Sequence, residues 1–279
     1  MNPLSVENFR EEYETRGFKT PIRVLSDNEA NESRGRFLDF YAGNQARVQA
    51  LPPRDQYVVF SETHTSLDWV YRIGSHPRIL DAVETILGPN LLIWGSRWFV
   101  KMPGDKTYIS WHQDATYWGM HPPHVTTAWI ALSESNPSNG CMRVIPGTHR
   151  GDLLPQRETY SDNNALSRGQ EIAVEVDENQ AVDLVLQPGE MSLHDIGLVH
   201  GSNVNSSSNP RIGIAFRYLT PEVVQDGNQR SFAMLVRGRD SHGHFDLLPA
   251  PDKSELTAGD AQSQAIQRMM KSVMRGQRS

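Results

Sequence analysis

A succession of short apolar runs between residues 91 and 220 limits the folds that this chain can adopt. The runs are rich in β-branched and aromatic residues, which favour strands. Turn dipeptides such as Asn139-Gly140 and Pro188-Gly189 stand between them. The predicted strands cover residues 91–101, 107–114, 125–133, 141–145, 171–176, 182–186, 190–194 and 211–219. Strands that follow one another without intervening helices predict a barrel or jelly roll rather than alternating β-α units.

Helix signals dominate the residues before this region. Polar N-cap residues there precede apolar residues at helical spacing, and glycines stand where the helices would end. The predicted helices run from Ser5 to about Arg16, from Ser26 through Tyr41, from Ser66 to Gly74 and from Ser75 to Leu87. A further amphipathic helix is predicted over residues 261–274, where it would pack against the sheet or against a second copy of the chain.

These patterns predict a mainly β protein with peripheral helices (α+β) that forms a single domain over residues 1–279. Residues 1–90 would supply mainly helical support, residues 91–220 the β core, and residues 221–279 an extension that carries a helix. The length allows a substantial hydrophobic core. A monomer and a homodimer are both compatible with the sequence.

Charge and cysteine content limit the partners and the compartment. The net charge of −6 includes no basic block, so neither nucleic acid nor an anionic membrane is expected as a partner. The lone cysteine, Cys141, excludes an intrachain disulfide and a thiolate-rich metal site. The first residues lack the pattern of a signal peptide, and no apolar run reaches about 18 residues. We therefore expect a cytoplasmic protein.

The segment Trp111-His112-Gln113-Asp114 contains the candidate metal ligands. Alternation along a strand would place His112 and Asp114 on one face, about 6–7 Å apart at Cα. With His200 far downstream, the set matches the facial triad of two histidines and one carboxylate that binds Fe(II). The alternative is an ordinary buried polar pair, since ten histidines make such a triplet common by chance.

Further motifs resemble the phytanoyl-CoA dioxygenase (PhyH) family of Fe(II)- and 2-oxoglutarate-dependent oxygenases. Together with the segment at 111–114, the resemblance rests on three stretches in the family's order. These are Asn139-Gly140 through Pro146-Gly147-Thr148-His149, His200-Gly201-Ser202 with Asn205, and Asn209-Pro210-Arg211 through Arg217-Tyr218. It covers about residues 91–220 and implies a double-stranded β-helix, which is a cupin-like jelly roll.

The resemblance also implies the cofactors and the residues that hold them. Fe(II) would be bound by His112, Asp114 and His200, with 2-oxoglutarate and O₂ as cosubstrates. Arg211, eleven residues after His200, matches the family arginine that holds the far carboxylate of 2-oxoglutarate, and Ser202 matches the hydroxyl that assists it. The family's halogenases have a small residue in place of the carboxylate, so Asp114 predicts hydroxylation of an unactivated C–H bond, with release of succinate and CO₂.

Candidate substrate contacts lie beside these residues. Trp118 would share the face of the metal ligands if the strand continued, although core packing is an equal alternative. Arg97 and Lys101 on the preceding strand, and Arg217 on the strand of Arg211, would suit a small-molecule substrate that is anionic or carrier-bound. The pair His194-Asp195 is the main rival for metal binding, but adjacent strand residues point to opposite faces.

Two other classes of function remain open from the sequence. A non-oxidative cupin-type metalloenzyme, such as a hydrolase or an isomerase, could use the same three ligands but would not require Arg211. A catalytically silent binding module on the same fold would not require an intact triad. The motifs do not select a particular substrate.

Overall fold

The computed structural model describes residues 3–161, 163–166, 168–226, 230–252 and 266. The α-helices are α1 Pro3–Arg16, α2 Asp27–Gly43, α3 Gln45–Gln49, α4 Asp68–Gly74, α5 Pro77–Leu87 and α6 Ala115–Trp118. Short 3-10 helices occur at Pro53–Phe60, Thr63–Thr65, Pro137–Asn139, Thr148–Arg150 and Glu178–Gln180.

The strands form one large sheet, one smaller sheet and two short two-stranded sheets. They are β1 Phe18–Arg23, β2 Leu91–Lys101, β3 Ile109–His112, β4 Met120–His121, β5 Val125–Ala131, β6 Met142–Val144, β7 Gln156–Glu158, β8 Gln170–Ile172, β9 Val182–Asp183, β10 Glu190–Asp195, β11 His200–Ser202, β12 Arg211–Leu219, β13 Val224–Gln225, β14 Phe232–Arg237 and β15 Asp246–Leu247.

The large sheet has the strand order β1-β10-β5-β12-β2-β14-β15, and the smaller sheet has the order β3-β11-β6-β9. Neighbouring strands are antiparallel except for the short pair β14 and β15. Between β2 and β12 the chain passes repeatedly from one of these sheets to the other, which is the arrangement of the predicted jelly roll. The mainly β fold with peripheral helices is therefore confirmed.

The two faces of the large sheet differ in what lies against them, since one packs on the helices and the other lines a pocket. Along β12, Ile212, Ile214 and Phe216 join the core formed with the helices. Arg211 and Arg217 point the other way and line a pocket. This follows from strand alternation, which sends successive side chains to opposite faces. The helical layer stabilises the fold from behind, and the pocket face is left for polar side chains.

The helices pack where their apolar residues predict. Ser26 caps α2, and Glu29 completes a capping box with the Ser26 backbone. Helix α5 begins at Pro77, where a missing N–H costs little, and buries Ile79 and Val83 completely. Its N-cap is His76, whose ring accepts a hydrogen bond from the Arg78 amide.

Several predicted boundaries were wrong. The strand predicted over 107–114 occupies only Ile109–His112, and the run 182–186 forms only Val182–Asp183. Residues 1–90, predicted to be mainly helical, also contain β1, which pairs with β10 at the edge of the large sheet. Beyond residue 220, β14 pairs with β2 and extends the same sheet.

The polar stretch 150–170 is less irregular than its composition suggests. Strand β7 pairs with β8 across it, so part of the stretch is a β-ladder. The helix predicted over 261–274 lies outside the described residues except for Ile266, which is helical and buried. In the described part of the chain, no helix has the length and apolar character needed to cross a membrane.

Candidate active site

Three potential metal ligands converge inside the pocket between the two sheets. One ligand atom from each of His112, Asp114 and His200 lies within 4.8 Å of the other two. His112 on β3 and His200 on β11 are direct cross-strand partners, and their ring centroids are 4.1 Å apart. Antiparallel pairing therefore brings together two histidines that are far apart in sequence.

Asp114 reaches this position by a different route from the one predicted. Strand β3 ends at His112, and Asp114 adopts helical dihedral angles, φ −61° and ψ −36°, as the residue before α6. The expected alternation along a continuous strand was therefore wrong. The turn instead brings the Asp114 carboxylate to 3.6 Å from Nε2 of His112.

Backbone carbonyls orient both imidazoles. Nδ1 of His112 lies 2.9 Å from the Ser110 carbonyl oxygen, and Nδ1 of His200 lies 2.9 Å from the Leu198 carbonyl oxygen. Each Nδ1 therefore carries the ring proton and donates a hydrogen bond to the carbonyl, which leaves a lone pair on each Nε2. Metal-binding histidines are commonly held in this way by a partner on the other ring nitrogen.

The electrostatics of the group suit a divalent cation. Burial, together with the nearby His112, lowers the pKa of His200 well below its usual value and keeps this ring neutral. Burial alone would raise the pKa of Asp114, but the neighbouring His112, His200 and Arg217 outweigh it. The pKa of Asp114 is therefore well below its usual value. Two neutral imidazoles and one carboxylate are a donor set that fits Fe(II).

Gln113 lies between two candidate ligands and serves the surrounding loops. Its side chain is fully buried, and Nε2 donates to the Gly197 carbonyl at 2.7 Å. Its Oε1 accepts a hydrogen bond from the Leu154 amide at 2.8 Å. Gln113 thus joins the segment before His200 to the stretch after residue 150, and its side chain does not line the pocket.

Arg211 lies in the same pocket at the start of β12. Its side chain is 2% exposed, its Nη1 donates to the Gly140 carbonyl, and its guanidinium carbon lies 5.4 Å from the centroid of the Trp129 ring. Nε of Arg211 has no hydrogen-bond partner among the described residues. Burial lowers the pKa of Arg211 only to about 10, so the guanidinium stays charged. An anion in the pocket would supply its missing partner.

Lys101 contacts the predicted hydroxyl rather than open pocket space. It is the cross-strand partner of Arg211, and its Nζ donates to Ser202 Oγ at 2.7 Å and to the Asn203 carbonyl. Burial, together with nearby Arg211, lowers the pKa of Lys101 to about 6. The Lys101 side chain lines an adjoining cavity and is fixed by Ser202, and its contact with a substrate stays a prediction.

The other predicted substrate contacts line the pocket. Trp118 is buried there, although it lies on α6 and not on a continued strand. The guanidinium of Arg217 lies 5.0 Å from the Trp118 ring centroid. Arg97 donates to the Ala165 carbonyl at 2.7 Å and lies over the Tyr57 and Phe99 rings. This places Arg97 between the large sheet and the polar stretch 150–170.

Sequence reasoning missed several pocket residues. Glu62 is 3% exposed, its carboxylate accepts from the Ser96 amide at 3.0 Å, and burial raises its pKa to about 7. Thr127 and Trp129 line the pocket from β5. Alternation within β5 could have placed these two on one face, whereas nothing near Glu62 in the sequence indicates that its 3-10 segment reaches the site.

The rival ligand pair does not join the candidate metal group. His194 lines the pocket with its ring centroid 4.8 Å from that of His200, but the cluster of metal-ligand spacing among the described residues does not include it. Asp195 points away and accepts a hydrogen bond from the Gly197 amide. His149 also lies elsewhere, because its Nε2 contacts the Glu14 carbonyl at 3.0 Å.

The chain matches known proteins over most of its length. The family model described as phytanoyl-CoA dioxygenase (PhyH) matches residues 5–213. The peroxisomal phytanoyl-CoA dioxygenase of Bos taurus is 29% identical over 236 residues, which cover 78% of this chain and 69% of that protein. The match therefore extends on the N-terminal side beyond the region 91–220 that carries the motifs.

Solved structures share the fold. A structure titled as the non-haem monooxygenase ThoJ in its apo form is 32% identical, with a TM-score of 0.78 and coverage of 95% of this chain and 94% of that one. CytC3 with Fe(II) and alpha-ketoglutarate is 22% identical, with a TM-score of 0.62 and coverage of 89% and 98%. The predicted cofactors, Fe(II), 2-oxoglutarate and O₂, agree with these matches and with the donor set. The chain belongs to the phytanoyl-CoA dioxygenase (PhyH) family.

Proposed function

We propose that this protein is a 2-oxoglutarate-dependent non-haem iron dioxygenase that hydroxylates an unactivated C–H bond of a small-molecule substrate. The observation that supports it most is the joint placement in one pocket of the triad His112, Asp114 and His200 with the buried, incompletely paired Arg211. The region 1–279 would act as one catalytic domain, and the cytoplasmic location remains a prediction.

Each side chain has a defined task in this proposal. His112, Asp114 and His200 hold Fe(II), and the Ser110 and Leu198 carbonyls fix the two rings so that Nε2 faces the metal. When bound, the iron with 2-oxoglutarate and O₂ supplies an oxidation in which one oxygen atom enters the substrate and the other enters succinate as CO₂ leaves.

Arg211 is proposed to bind the far carboxylate of 2-oxoglutarate. A planar guanidinium can donate two parallel hydrogen bonds to a carboxylate, and Trp129 holds the group in place from one side. Lys101 fixes the Ser202 hydroxyl through a hydrogen bond of 2.7 Å from Nζ to Oγ. A binding site for this carboxylate explains why a charged Arg211 is buried in the pocket. A hydrolase or isomerase with the same triad would not need it.

Aromatic side chains enclose the reacting region. Trp118, Tyr117 and Phe99 line the pocket, and Leu166 closes it from the polar stretch 150–170. Together they exclude bulk water and position the apolar part of a substrate. Asp114 occupies the ligand position that the family's halogenases leave to a small residue, which supports hydroxylation as the outcome.

The test is cofactor-dependent turnover. We expect purified protein with Fe(II), 2-oxoglutarate and O₂ to release succinate and CO₂ in equal amounts, slowly alone and faster with a substrate from a screened panel. Product mass should rise by one oxygen atom. The exposed variant His121→Ala is the matched control and should keep full activity, since this ring lies outside the pocket. Absence of succinate under all conditions would favour a hydrolase, an isomerase or a silent binding module.

A further inference from the structure

Three polar side chains form a row across the pocket face of the large sheet. His194 on β10 is paired in register with Thr127 on β5, and Thr127 is paired with Arg217 on β12. They are 3%, 3% and 7% exposed, respectively, and all line the pocket that contains the candidate metal ligands. We call these residues the polar row. Because they occupy one register position on neighbouring strands, their side chains leave the sheet side by side.

Every member of the polar row has a buried polar atom without a partner. His194 Nδ1, Thr127 Oγ1 and Arg217 Nε make no hydrogen bond in the described part of the protein. A buried polar group left unpaired costs about 1–3 kcal/mol, so native proteins rarely keep adjacent ones without a ligand. In the same described residues, the Arg217 guanidinium makes neither a hydrogen bond nor a salt bridge and only stacks on Trp118.

The charges around the polar row favour an anion. Arg97 also lines the pocket, and its Nε is likewise unpaired among the described residues. Asp114 acts on both arginines but belongs to the candidate metal group, and the other carboxylate that opposes them is Glu62. Its oxygen already accepts from the Ser96 amide, and burial raises its pKa to about 7, which reduces its charge near neutral pH. With Asp114 assigned to the metal, the two guanidinium groups exceed the negative charge that is free to pair with them.

The excess positive charge at the polar row is separate from the Arg211 site proposed for 2-oxoglutarate. Arg217 follows Arg211 by six residues on one regular strand, so their Cα atoms are about 20 Å apart. Arg211 also has a backbone partner in Gly140, whereas the Arg217 guanidinium has none in the described chain. The two arginines can therefore serve two different anions in one pocket.

Building on the proposed function, we propose that the polar row is the subsite for a carboxylate-class oxyanion on the primary substrate. The Arg217 guanidinium donates two hydrogen bonds to the anion, the Thr127 hydroxyl donates a third, and an imidazole N–H of His194 donates a fourth. The substrate is thus an acid whose apolar part lies against Trp118 and its charged end on the sheet. A carboxylate of 2-oxoglutarate itself has the same chemistry, and the test separates the two sources.

The test compares hexanoate with hexanamide, which has nearly the same shape and no charge. Both probes are titrated anaerobically into protein saturated with Fe(II) and 2-oxoglutarate, and binding is followed by ligand-observed NMR. We expect hexanoate to bind at least about 10-fold more tightly than hexanamide, because only the anion can pair with the guanidinium. Equal binding of the two probes, or no binding of hexanoate, would overturn the proposal.

Variants then locate the anion. Arg217→Gln should lose at least about 10-fold in hexanoate affinity, Arg217→Lys should lose less because it keeps the charge, and the near-isosteric Thr127→Val should lose about 3-fold. The exposed Arg239→Gln is the control and should match the wild type. Thr127→Val also keeps the test decisive if Arg217→Gln does not fold.

The affinity for 2-oxoglutarate is measured on the same samples from its visible charge-transfer band. We expect the Kd for 2-oxoglutarate to change less than about 2-fold in Arg217→Gln, since Arg211 is unaltered. A parallel loss of 2-oxoglutarate affinity would assign the polar row to the cosubstrate and overturn the proposal. Absence of the band in the wild type would contradict the proposed function, whereas the difference between hexanoate and hexanamide would still report on the polar row.

Discussion

The two faces of β12 divide the work of the molecule. Every residue of Arg211–Leu219 is buried, yet the side chains toward the helices are apolar and packed, and those toward the pocket include two arginines with unpaired atoms. Unpaired buried groups do not stabilise the fold. The contrast indicates that one face supplies stability and the other supplies binding, at some cost in free energy. Substitutions on opposite faces should therefore have opposite consequences.

The strongest test of the helix-covered face is Phe216→Ala. Phe216 is fully buried beside His64 and Tyr218, so its truncation should cost about 3–5 kcal/mol through lost contacts and a cavity. We expect a clear fall in Tm, measured by calorimetry. The neighbouring Arg217→Gln is the matched control on the pocket face and should leave Tm unchanged or slightly raised. An equal fall in both variants would contradict the division between faces.

Asp114→Ala should reduce activity far more than stability, the reverse of the pattern expected for Phe216→Ala. Removing one of three proposed ligands is expected to reduce succinate formation at least about 100-fold and to lower the iron content after dialysis. Without metal, the Tm should fall less than in Phe216→Ala, because the truncation removes few apolar contacts and its cost is the lost pairing with His112, His200 and Arg217. Retained turnover would show that Asp114 is not a ligand.

Gly213→Ala extends the comparison to the part of the pocket face of β12 that lies near Arg211. A Cβ at Gly213 would lie 2.8 Å from Cε2 of Trp129, so the indole that packs on Arg211 must shift. We expect a loss of about 1–3 kcal/mol in stability and weaker binding of 2-oxoglutarate, measured by unfolding and by titration. Gly35→Ala in α2 has nothing within 4 Å of its Cβ and should stabilise by about 0.5–1 kcal/mol. Unchanged cosubstrate affinity in Gly213→Ala would argue against a role for Trp129.

The effect that is smallest at neutral pH, and grows only on acidification, is a pH dependence on the helix-covered face. Burial lowers the pKa of His64 to about 3 from an ordinary value of 6.5. The unfolded chain therefore takes up this proton first as pH falls, and the folded state loses stability between about pH 6.5 and 3, by at most about 1.4 kcal/mol per pH unit. Replacing the ring in His64→Phe should flatten the curve of stability against pH in that window. An identical slope in both proteins would show that His64 is not the source.

Sequence patterns predicted the parts of this protein that local physics decides. The apolar runs rich in β-branched and aromatic residues placed β2 and β12 at their observed bounds, and the cap at Ser26 placed the start of α2. The motifs identified His112, Asp114, His200 and Arg211, which the fold brings into one pocket.

The remaining features depend on pairing between distant segments. Nothing near Thr127 or His194 in the sequence shows that they share a register position with Arg217, because register is set by the assembled sheet. The turn at Asp114 likewise ends a strand that alternation would continue. The partner of Lys101 was also not predictable, since Ser202 reaches it from the opposite sheet.

The central claim is that the triad and Arg211 bind Fe(II) and 2-oxoglutarate in one pocket, and anaerobic titration tests it most directly. We predict that a visible metal-to-ligand charge-transfer band appears only when Fe(II) and 2-oxoglutarate are both present. It should require at least about 10-fold more 2-oxoglutarate in Arg211→Met, in which the bidentate partner is lost. A wild-type protein that gives no band, or an Arg211→Met variant that saturates at the same concentration, would contradict the account.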